Sequence, residues 1–67
     1  MRLVYLTANG QWAFVFGDSP CRFYTLHNEE LPLFYSTRAA ALETARIVGL
    51  VVADNGSVQT LEAANLP

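Results

Sequence analysis

The chain of 67 residues has no lysine, one histidine and one cysteine, and each scarcity removes a class of function. With Cys21 alone, no internal disulfide can staple the fold. With His27 alone, a zinc site would have to recruit carboxylates, and no residues stand at ligand spacing, so neither a metal nor a cofactor is expected. The only cations are Arg2, Arg22, Arg38 and Arg46, and the formal net charge is -2. Clustered positive charge is what neutralises phosphates, so nucleic acid is disfavoured as a partner of the single protomer. Long apolar runs are missing as well. The first, Leu3 to Leu6, stops at Thr7, too short for a signal-peptide core or a membrane span. An unpaired thiol without an export signal makes the cytoplasm the expected compartment.

What the chain does have is apolar side chains, 52% of the residues, on a length that allows only one small core. Folding a chain of 7.4 kDa removes about 6,500 Å² from water. With about 60% of that area apolar, burial contributes about 100 kcal/mol at about 25 cal/mol/Å². Ordering the residues at about 1.5 kcal/mol each costs about 100 kcal/mol too. The two terms balance. Small domains tip such a balance with a disulfide, a metal or a partner chain, and only the last suits this composition.

Asn9-Gly10 lies between two runs of β-branched and aromatic residues, 3–8 and 11–16. That pattern predicts a hairpin on a tight type I′ turn, with both turn residues at positive φ. In the second strand Trp12, Phe14 and Phe16 share one face, while Ala13 and Val15 share the other. A strand apolar on both faces belongs in the middle of a sheet or under cover on both sides. Gly17-Asp18-Ser19-Pro20 reads as a turn, and Pro20 excludes a central strand there. Residues 21–26 fit a third strand, residues 27–32 a polar connector, and Leu33-Phe34-Tyr35 an extended lead into a helix.

That helix starts at Ser36 or Thr37 as N-cap and stops at Gly49. Ala41, Leu42, Ala45 and Val48 form its inner face, with Arg38, Glu43 and Arg46 outward. Asn55-Gly56, between 50–53 and 57–61, predicts a second hairpin. The expected fold is therefore α+β: a small antiparallel sheet of hairpins in a meander, with one helix packed on one face. It forms a single domain over 1–61, followed by a tail over 62–67.

The stretch Thr37-Arg-Ala-Ala-Ala-Leu-Glu-Thr-Ala-Arg46, with the Val-rich strand after it and Asp54-Asn-Gly-Ser-Val58, resembles a class of small bacterial strand-strand-helix-strand proteins of uncharacterised role. Trp12 at the start of a strand matches that class too. The likeness runs over roughly residues 11 to 60. The extra N-terminal strand and the wealth of aromatics depart from it. It implies the fold and a bacterial or mobile-element setting, and no activity.

Three groups of residues invite a chemical reading. Cys21, His27 and Asn28 are the residue types of a thiol protease, but six residues along a strand span about 20 Å, which separates nucleophile from base. Glu29 and Glu30 with His27 could hold a divalent ion, yet neighbouring carboxylates on a strand point to opposite faces. Asp54 to Ser57 lacks the bidentate glutamate of a calcium loop. No catalytic, metal or cofactor residue is assigned, and an enzyme is not expected.

The stripe Trp12, Phe14 and Phe16, together with Phe23 and Tyr24, is the candidate interface, because aromatics dominate cores and protein contacts. The expected role is a non-enzymatic interaction or regulatory module acting as a homodimer or higher oligomer, open to another protein as partner. The alternative is a small nucleic-acid-associated regulator in which a dimer gathers the arginines.

Overall fold

The computed structural model describes residues 1–64. Strands β1 (Arg2–Leu6) and β2 (Gln11–Phe16) form the first hairpin, in a register running from Leu6↔Gln11 to Arg2↔Val15. Asn9-Gly10 lies in its loop, but the loop holds four residues, Thr7 to Gly10, in place of the expected two. The Gly10 amide donates to the Leu6 carbonyl at 2.8 Å, and Gly10 takes φ +67 whereas Asn9 does not enter positive φ. A type I′ turn needs both, so this is a longer hairpin loop. The pairing is offset by two residues from a two-residue turn. Because the side-chain period is also two, every residue keeps its face.

After the two-residue turn Gly17-Asp18, β3 (Ser19–Pro20) returns along β2 as an edge strand, where the missing N–H of Pro20 costs no ladder bond. The expected third strand over 21–26 does not form. Beyond the bond from the Cys21 amide to the Phe14 carbonyl (2.7 Å), the chain leaves β2 and pairs with itself. The Leu31 amide donates to the Phe23 carbonyl and the Thr25 amide to the Glu29 carbonyl, with Tyr24 bridged to Glu30. The cause is a turn: the Thr25 hydroxyl accepts from the amides of His27 (3.3 Å) and Glu29 (3.1 Å), and Asn28 adopts φ +62. Thr and Asn side chains favour turns over strands in this way. Arg22 ties the base of the lobe, donating to the Leu31 carbonyl at 3.0 Å and standing 3.6 Å from the Glu30 carboxylate. The vacated place beside β2 goes to Tyr35, which exchanges two backbone bonds with Trp12 at 2.7 and 2.8 Å. Strand β2 is therefore paired along both edges.

Helix α1 (Arg38–Ile47) begins at Thr37, whose hydroxyl accepts from the Ala40 amide at 3.1 Å, and Val48 caps its C-terminus just before Gly49. Ala41 and Ala45 are buried, as their spacing predicts, and Thr44 joins them. Small side chains there let the helix approach the sheet closely. Strands β4 (Leu50–Val52) and β5 (Val58–Thr60) form the second hairpin, closed by the three-residue loop Asp54-Asn55-Gly56. In it the Gly56 amide donates to the Ala53 carbonyl (2.9 Å), and Gly56 follows at φ +89. A turn closed by a glycine in the left-handed region is the usual three-residue hairpin. Leu61–Ala64 make one helical turn, α2, and residues 65–67 of the expected tail lie outside the described residues.

The core is Leu3, Phe14, Tyr35, Ala41 and Ala45, walled by half-buried Trp12, Phe23, Leu42, Leu50, Val52 and Val58. The architecture is α+β, with antiparallel hairpins and α1 packed on one face of them.

Candidate functional site

Strand alternation places Trp12, Phe14 and Phe16 on one face of β2, and their exposure rises steeply along it. Phe14 is fully buried and makes edge-to-face contacts with Phe23 (ring centroids 5.2 Å apart) and Tyr35 (6.0 Å). Trp12 is half-buried against Tyr5, at 5.4 Å and in T-shaped geometry. Phe16, the last residue before the turn, is 70% exposed. Phe14 and Phe23 are thus used in the protomer's own core, and Phe14 has no area left for a partner. Tyr24, on the lobe of residues 22–31, is 50% exposed, and Leu26 in the turn of that lobe is fully exposed. Reading residues 21–26 as a strand hid Leu26. The run Thr25-Leu26-His27-Asn28, a hydroxyl and an Asn either side of two residues, is the signal that marks it as a turn.

On the opposite face of the hairpin, Ala13 is buried while Val4, Leu6 and Val15 are half-buried. Arginines are mostly engaged within the protomer. Arg2 donates to the Asn55 carbonyl at 2.8 Å, Arg22 holds Leu31 and Glu30, and Arg46 pairs with Glu43 one helical turn away. Hydrogen bonding to the Arg46 guanidinium, with its charge second, holds the Glu43 carboxyl below its ordinary range and raises Arg46 in return. Both groups are exposed, so the pair is a surface feature of the helix.

The residues that invited a chemical reading are dispersed. Cys21 is half-buried with its thiol 3.8 Å from the Ser19 carbonyl, while His27, Glu29 and Glu30 are exposed on the lobe. Asp54 and Asn55 form the hairpin loop, the Asn55 side chain accepting from the Ser57 amide at 3.0 Å. Among the described residues no three His, Cys, Asp or Glu side chains converge, no pocket opens, and no helix is long and apolar enough to cross a membrane. What stands out is surface: apolar side chains at Phe16, Tyr24 and Leu26, on a protomer in which Phe14 is the only large, fully buried side chain among the described residues. Compared with family models, curated proteins and solved structures, the chain shows no significant match.

Proposed function

We propose that this chain is a non-enzymatic interaction module that works as a homo-oligomer, in the cytoplasm and in a bacterial or mobile-element setting. The observation that carries the reading is the thinness of the core. The protomer exposes 4704 Å², where a compact chain of this mass exposes about 4,200 Å². An excess of about 500 Å² per chain comes to about 1,000 Å² over two chains, the least that a biological interface should bury. The mechanism is surface complementarity, in which Phe16 and Tyr24 have the free aromatic area to serve as anchors for a protein partner.

The competing role, a nucleic-acid-associated regulator, would need arginines free to reach phosphates. Three of the four are held by groups of their own chain. Light scattering on the eluting protein, set beside titrations with DNA and RNA at low and high salt, separates the two. A mass above one protomer with no salt-dependent nucleic-acid affinity supports the module. Affinity that falls steeply with salt assigns the regulator instead.

A further inference from the structure

We propose that a second copy of this chain docks on the outer edge of β4 and continues the sheet antiparallel across a two-fold axis at Val51, an inference that rests on the homo-oligomer reading. The inner edge of β4 is committed to β5, with Val51 opposite Gln59. The bonds from the Leu61 amide to the Gly49 carbonyl and from the Ala53 amide to the Ser57 carbonyl bracket that pair. In an antiparallel ladder alternate residues face alternate edges, so Leu50 and Val52 turn their N–H and C=O outward. Among the described residues these four groups have no hydrogen-bond partner.

Other edges are partly closed. Pro20 occupies β3, and the start of β1 is covered where Leu3 bonds to Gly56 and Val58 to the Met1 carbonyl. Strand β4 is short, at three residues, but it carries no charge, no proline and no bulge, and the chain has no lysine to place there.

The edge is also complementary to itself. With the axis at Val51, Leu50 faces Val52 of the partner subunit, and Val52 faces the partner's Leu50. Both pairs are of the kind that exchanges two bonds, so all four outward groups on each chain are satisfied. The occupant is a second copy for this reason: an uncharged strand whose outward groups pair with their own copies across a two-fold axis. None of Phe16, Tyr24 and Leu26 belongs to β4, so each protomer of the dimer keeps these exposed apolar side chains.

The test uses charge at the axis. Leu50 and Val52 pack against the core, and Val51, half-buried, points to the other face, so a charge at 51 stays out of the core cluster, and circular dichroism of each variant checks that the protomer still folds. Across the axis it meets its own copy, and like charges directly opposite destabilise pairing. Val51→Glu and Val51→Lys should each weaken self-association at least about tenfold, and their equimolar mixture should restore it. In the unaltered chain, the Leu50 and Val52 amides should gain protection from hydrogen exchange as concentration rises through the association range. Variants that associate as the native chain does, or amides equally open at every concentration while the chain dimerises, would overturn the β4 edge and leave the homo-oligomer standing. A native chain that never associates would overturn both.

Discussion

The Leu3 amide donates to the Gly56 carbonyl at 2.8 Å, and the Leu3 carbonyl lies only 2.7 Å from the point where a Cβ on residue 56 would stand. Through this contact the second hairpin docks on β1, and a bare Cα is what allows the two backbones to meet. The sequence marks Asn55-Gly56 as a turn; the structure makes its glycine a joint between hairpins.

Substitution should therefore separate the two Asn-Gly loops. Gly56→Ala combines a positive φ with a clash against backbone that cannot swing aside, and should cost about 2 kcal/mol or more. Gly10→Ala meets only the Tyr5 hydroxyl at 3.7 Å, so the cost is that of positive φ alone, about 1 kcal/mol. Urea denaturation of both variants measures the difference. Equal losses would mean that the Leu3 contact does not hold the hairpins together.

On α1, Ala45 is buried against the sheet and Glu43 faces water. Ala45→Phe should overpack the layer and destabilise by roughly 1 to 3 kcal/mol. Glu43→Gln should leave the thermal midpoint where it is at neutral pH. The lowered Glu43 carboxyl gives the sign of its pH dependence: any support from the Arg46 contact is present above the unfolded carboxyl pKa and fades as pH falls through the folded one. Similar losses from the two substitutions would reverse the assignment of the helix faces.

The Tyr35 hydroxyl is buried in the core and has no hydrogen-bond partner among the described residues. Removing an unsatisfied buried hydroxyl relieves a desolvation cost while the ring contact with Phe14 persists. Tyr35→Phe should be neutral or stabilising by up to about 1 kcal/mol in thermal unfolding. A loss above about 1 kcal/mol would show that the hydroxyl is hydrogen-bonded in solution.

Both hairpins, the helix and its cap could be read from the chain because their signals are local: Asn-Gly between apolar flanks, Thr37 before an alanine-rich run, Gly49 after it. The loop lengths could not, since Asn9 and Asn55 tolerate either sign of φ and the surrounding pairing decides. The lobe of residues 22–31 escaped because Phe23-Tyr24-Thr25-Leu26 has strand composition, while the Thr25 hydroxyl and Asn28 turn the chain. Along the candidate stripe, the common face of Trp12, Phe14 and Phe16 follows from alternation. Their very different exposures depend on where Tyr35 and α1 land, which is tertiary information. The burial of Thr44 is the same kind of miss, a polar residue carried inside by its neighbours Ala41 and Ala45.

Self-association is the central claim, and sedimentation equilibrium from micromolar to sub-micromolar protein, paired with the thermal midpoint at each concentration, tests it most directly. The account predicts a mass that falls from two protomers toward one on dilution and a midpoint that falls with it, because mass action favours the folded dimer. A mass of 7.4 kDa at every concentration, with an unchanging midpoint, would contradict it.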